Sequence, residues 1–155
     1  EPKENHPVKK FKFALDTVLS YKQQVLGVLQ GEHAEAAARV RAQEELLEKL
    51  WREYRDCNED YRDRALEGMP VTEALMYQSA LRAAEQEIQQ ETRRLEELEA
   101  EAEKRREAMV EAKKETSSIE KLKEKKLEAY HKEEAKSEEL FIEEFVSSTR
   151  AHAAS

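Results

Sequence analysis

The chain has 155 residues, of which 40% are charged and 6% aromatic, with only three glycines and three prolines. Such a composition cannot furnish the broad apolar core of an ordinary domain of this length, so the chain must bury a narrow seam instead. A net charge of -8 argues against general nucleic-acid or anionic-membrane binding, and no apolar run approaches the roughly 20 residues that span a bilayer.

The first eight residues carry Pro2 and Pro7 and are expected to be a disordered leader or a non-native remnant, outside the fold. No hydrophobic signal-like stretch opens the chain. From about Phe11, spacings of four and three alternate through Leu19, Lys22, Leu26, Leu29, His33, Ala36, Val40, Gln43, Leu47, Leu50, Tyr54, Cys57 and Tyr61. This is the a/d pattern of a coiled coil, and ten of the thirteen positions are apolar or aromatic; a sustained apolar period also separates the chain from a disordered one. Helix one is therefore expected over about 11–66, and its seam needs a partner helix.

Gly68 and Pro70 fall within the segment 67–72, which is expected to be the turn. Gly68 can take the left-handed conformation at a helix end, Pro70 blocks continuation, and Thr72 is a suitable N-cap with Glu73 in the first turn. A connection this short returns the second helix antiparallel to the first. The seam resumes over about 73–148 through Leu81, Ala84, Ile88, Leu95, Leu98, Ala102, Met109, Ala112 and Ile119, interrupted at Glu91 and Arg105. Beyond Ile119 it drifts through Leu122, Leu127 and Tyr130, which reads as a register shift. Residues 151–155 are expected to form a disordered tail.

The expected fold is all-α: one antiparallel coiled coil over residues 9–150, a helical hairpin with arms on the order of 80 to 110 Å. With the turn centred near Met69, residue i faces roughly residue 139 minus i. Leu50 then lies opposite Gln89 and Leu19 opposite the neighbourhood of Glu120. Residues 137–150 overhang the start of helix one and present Phe141 and Phe145 where few intramolecular partners remain.

Little in the chain suggests catalysis. Gly27, Gly31 and Gly68 make no phosphate-cradling loop. His6, His33, His131 and His152 have no metal-ligand spacing, so no cofactor and no metal are expected. Cys57 occupies a seam position and reads as a small buried hydrophobe, and a lone cysteine fits a reducing cytoplasm. Carboxylates on an exposed helix stay solvated, whereas acid/base catalysis needs a cleft that shifts their pKa values. The chain is expected to be a binding protein and not an enzyme.

Charge is segregated along the second helix. From Glu85 to Glu103 eight acidic residues face two arginines, while from Lys104 to Lys136 eleven basic residues outweigh eight acidic ones. In the antiparallel register Lys121, Lys123, Lys125 and Lys126 come near Lys9, Lys10 and Lys12, which makes the end away from the turn a candidate docking surface for an acidic protein. The plainer reading of each lysine is a solvated face with i to i+4 pairs. Near the turn, Leu75, Met76, Tyr77, Leu81, Ala84 and Ile88 make an apolar stripe wider than two seam positions require. Tyr77 and Met76 cannot both face helix one, so the surplus either caps Met69 and Val71 or meets a partner.

The opening KKFKFALDTVLSYKQQ (Lys9 to Gln24), the long heptads broken near the middle, and the run IEKLKEKKLEAYHKEEAKSEE (Ile119 to Glu139) resemble the FliJ family of flagellar export components. The resemblance covers nearly the whole chain from Val8. The closing FIEEFVSS differs from the short acidic Asp-Glu-hydrophobic segment with which members of the family often end. The resemblance implies a non-enzymatic coiled coil, similar to the central stalk of rotary ATPases, in the flagellar type III export apparatus. It would be cytoplasmic, peripheral at the inner-membrane flagellar base through its partners alone. Those partners would be the hexameric export ATPase, the cytoplasmic domain of the export gate, and export chaperones; nucleic acid is not among them. Carried over by position, the ATPase contact falls on Lys9, Lys10, Lys12, Lys121, Lys123, Lys125 and Lys126, and the gate contact on Tyr77, Leu81, Ala84 and Ile88. The alternative is a structural coiled-coil tether, or a homo-oligomeric helical bundle, without an ATPase partner.

Overall fold

The computed structural model describes residues 9–154, and the expected leader lies outside them. The fold is all-α, with two long helices packed against each other, α1 (Asp16–Glu67) and α2 (Val71–Ala153), and no strand among the described residues. Both helices are rich in Ala, Glu, Leu, Lys, Arg and Gln, the strongest helix formers.

α1 begins at Asp16 and not near residue 11. The Asp16 amide donates to the Phe13 carbonyl (3.1 Å), closing a turn ahead of the helix. Asp16 then sits at the positive helix start, where Lys9, Lys10 and Lys12 would be unfavourable. At the other end Gly68 has φ +92°, and its amide donates to the Ala65 carbonyl (3.2 Å). Pro70 opens α2: its carbonyl accepts from the amides of Glu73 and Ala74, both at 3.1 Å. Pro70 therefore holds the cap position expected of Thr72, which lies inside the first turn. α2 runs to Ala153 instead of ending near residue 148, because its last turns contain no glycine or proline to stop it.

The chain divides into two units. In the first, Gly27–Glu111, the inner faces are the seam positions read from the sequence. Leu47, Leu50 and Ile88 form the buried cluster, with Tyr54 and Leu95 packed against it. Ala36 is buried, and Leu29, His33, Val40, Cys57, Tyr61, Leu98, Ala102 and Met109 are half-buried. The antiparallel register is direct in the side-chain pairs: Tyr54 with Glu85 and Gln78 with Tyr61 have residue numbers that add to 139.

The second unit combines the chain up to Leu26 with the segment from Ala112 onward. Leu19 is 5% exposed and Thr116 only 2%, while Lys22, Leu26, Ala112, Ile119, Leu127 and Tyr130 are half-buried. This seam is more polar than the other. Lys22 pairs with Glu115 (2.8 Å) and Lys123 with Asp16 (2.8 Å). Beyond Ile119 the inward positions are Lys123, Leu127, Tyr130 and Glu134, so two successive steps of four replace the heptad alternation. Leu122, expected on the seam, is 39% exposed. Lys123 takes the inward place because its long stem can pack while its ammonium reaches Asp16.

Candidate partner-binding surfaces

At the basic end, Lys121, Lys125 and Lys126 project from the exposed side of α2, and Lys9, Lys10 and Lys12 are exposed in the segment that precedes α1. Phe11 ties the two groups together: its ring packs on Tyr130 with centroids 5.5 Å apart. That contact holds Lys10 and Lys12 about one helical turn beyond Lys126. Among the described residues, none of Lys9, Lys10, Lys12, Lys121, Lys125 and Lys126 has an ion-pair partner. Lys123 differs, since its ammonium is engaged by Asp16. Six of the seven candidate lysines are thus available to an outside acid, and the seventh staples α1 to α2.

Near the turn, Tyr77, Leu81, Ala84 and Ile88 lie on the inner face of α2, against α1. The Tyr77 hydroxyl donates to Asp60 (2.6 Å), and its ring meets Tyr61 edge-on at 5.3 Å. Donation to the Asp60 carboxylate, with a smaller contribution from desolvation, raises the Tyr77 pKa above its usual value. Tyr54 is raised in the same way by Glu85. Leu81 and Ala84 are half-buried, and Ile88 is 5% exposed. Met76 turns away from α1 and is 72% exposed, with Leu75, Val71 and Leu66 also exposed. The surplus apolar surface expected at this end is therefore on the outside of the turn, next to the four candidate gate residues and not made of them.

Farther along the same unit, Trp51, Tyr54, Glu85, Ile88, Gln89, Thr92 and Arg93 line a groove of about 600 Å³. Trp51 is 45% exposed and packs edge-on against Tyr54 at 5.8 Å. Seam periodicity passes over Trp51 because it sits one residue beyond Leu50. Its status as the single tryptophan, exposed on a charged helix, is the signal that marks it.

No cluster of side chains able to hold a metal ion occurs among the described residues. No helix is long and apolar enough to cross a membrane among them. The family model described as Flagellar FliJ protein matches residues 11–155. No curated protein and no solved structure shows significant similarity to the chain.

Proposed function

The chain belongs to the FliJ family and is a component of the flagellar export apparatus; within that apparatus we propose that it is a stalk-like, non-catalytic coiled coil whose basic end docks on the export ATPase ring. In this reading the chain promotes assembly or turnover of the ring and links it to the export gate and to export chaperones. It neither binds nor splits ATP. It works in the cytoplasm, at the base of the flagellum, and reaches the membrane through its partners.

The observation that carries the reading is the set of six exposed lysines without ion-pair partners, gathered at one end by the Phe11–Tyr130 contact. Lysines already satisfied within a fold have little to offer a partner, whereas unpaired ones attract an acidic rim and speed encounter with it. Binding titrations with the purified export ATPase test this. Changing Lys125 and Lys126 to Glu should weaken binding about tenfold or more, with helicity unchanged, because both side chains are solvated. Unaltered affinity would remove electrostatic docking from the account.

For the gate, Tyr77, Leu81, Ala84 and Ile88 are proposed to act chiefly by shaping the turn-proximal part of the hairpin. The partner would meet their edges together with exposed neighbours such as Met76. Tyr77→Ala with Leu81→Ala should then lower hairpin stability and gate binding together, while Met76→Ala should lower binding alone.

A further inference from the structure

Between Asp16 and Glu32, in a chain that is 40% charged, the single charged residue is Lys22. Its ammonium is held by Glu115 (2.8 Å), and Asp16 is held in the same way by Lys123 (2.8 Å). The first turns of α1 therefore lack the solvated charged face that an exposed helix ordinarily carries. In its place stands a second apolar row, Val18, Tyr21 and Val25, each one residue before a seam position, Leu19, Lys22 and Leu26. Steps of three and four keep this row on one side of the helix, beside the seam and outside it. Val18 is 41% exposed and Tyr21 63%, with Val25 half-buried. A shallow recess of about 440 Å³, lined by Asp16, Thr17, Ser20, Tyr21 and Gln24, lies alongside.

The charges select the occupant. A helix that lies on a lipid surface needs a cationic polar face, which Thr17, Ser20, Gln23 and Gln24 do not provide. An uncharged row also gives a charged partner nothing to orient it. A second copy of the same row is compatible, because apolar side chains meet and no like charges come together. The charges beyond the row set the direction. Lys123 reaches Asp16 and Tyr130 meets Phe11, so the α2 interval 123–130 places Phe11 about 10 Å before Asp16. Lys10 and Lys12, on either side of Phe11, then lie roughly 18 Å before Tyr21, while Glu32 and Glu35 lie roughly 16 to 21 Å after it along α1. A two-fold axis through Tyr21 pairs the helices antiparallel and brings the lysines of each copy level with the carboxylates of the other.

We infer that the face of α1 formed by Val18, Tyr21 and Val25 is a self-association surface, which joins two copies of the chain antiparallel about Tyr21. The Tyr21 rings sit at the axis, each against the recess of the other copy, and Val18 of one copy meets Val25 of the other. Lys10 and Lys12 are covered in such a pair, so the paired chain and the chain docked through its lysines exclude each other. Self-association is a property of the chain alone and does not rest on the functional reading above.

Sedimentation equilibrium of the full chain, without any ATPase, tests this at concentrations up to about 0.1 mM, with circular dichroism recorded beside it. The unaltered chain is expected to form dimers. Tyr21→Glu should raise the dissociation constant about tenfold or more with helicity unchanged, since it sets two carboxylates at the axis. Glu35→Lys alone should weaken the dimer, most at low salt. Glu35→Lys combined with Lys10→Glu and Lys12→Glu should restore it, which neither a fold defect nor a parallel pair would do. A chain that stays monomeric over the whole range, or a dimer that Tyr21→Glu leaves unaltered, would overturn the inference. A charge reversal that fails to restore association would overturn the antiparallel arrangement. Weaker ATPase binding by Tyr21→Glu in a chain that is monomeric throughout would overturn it in favour of that partner. Docking of the lysines on the ring is reported separately by the Lys125, Lys126 variant, so the two proposals fail independently.

Discussion

Gln43 and Glu91 show how a single polar pair can sit in a coiled-coil seam. Both are half-buried, and the Gln43 amide donates to the Glu91 carboxylate (2.5 Å) and to its backbone carbonyl (2.9 Å). Glu91 breaks the apolar repeat in the sequence, yet its partner is also visible there as one of three polar members of the α1 seam, with Lys22 and His33; what the sequence lacked was the pairing. Replacing Gln43 alone with Leu leaves a half-buried carboxylate without its donor and should cost about 1–2 kcal/mol in urea unfolding. The double replacement by Leu should recover that loss, because no orphaned group remains. The tyrosines supply a pH dependence. Tyr54 and Tyr77 donate to carboxylates, and their pKa values are raised from the ordinary 10.0. Their contribution is therefore complete below pH 10 and is lost as pH rises through the raised values of the folded state. Phenolate absorbance should appear at higher pH in the native chain than in urea, and Tyr54→Phe with Tyr77→Phe should remove the latest part of the native titration.

At the scale of the helices, the same substitution should act with opposite signs at different glycines. Gly68 has φ +92°, so a side chain there is strained even though open space surrounds the position. Gly68→Ala should destabilise the hairpin by about 1 kcal/mol. Gly27 and Gly31 lie inside α1 with nothing near an added methyl group, and each change to Ala should stabilise by about 0.5–1 kcal/mol in thermal unfolding. The turn and the inner faces were legible in the sequence because Gly68-Met69-Pro70 and the three-four spacing each reflect a local geometric requirement. The boundaries were less so. Asp16 starts α1 through a turn with Phe13, and Pro70 takes the cap from Thr72, both of which depend on backbone hydrogen bonds that composition does not specify. Thr116 was passed over because it is polar, although it lies four residues after Ala112. Its hydroxyl is satisfied by the Ala112 carbonyl at 2.8 Å, which permits burial at 2% exposure. Lys123 displaced Leu122 because an acidic partner, Asp16, stood opposite.

For the molecule as a whole, the apolar side chains of the inner faces hold α1 to α2, and what remains for partners lies on the outside. The candidate surfaces follow that division. The lysines were legible as a cluster from charge segregation and the antiparallel register, but the sequence could not reveal that Lys123 is occupied while its neighbours are available. The four residues proposed for the gate were legible as an apolar stripe, but a seam and a docking face have the same composition. Their separation depends on side-chain direction, with Tyr77 toward α1 and Met76 away from it. The role proposed for this chain is to act on the export ATPase by packing and docking, without catalysing anything itself. It is tested most directly by ATP hydrolysis of the purified export ATPase, with and without this chain. Stimulation that disappears when Lys125 and Lys126 are changed to Glu is the expected result; no stimulation, together with no co-sedimentation with the ring, would rule the proposed role out.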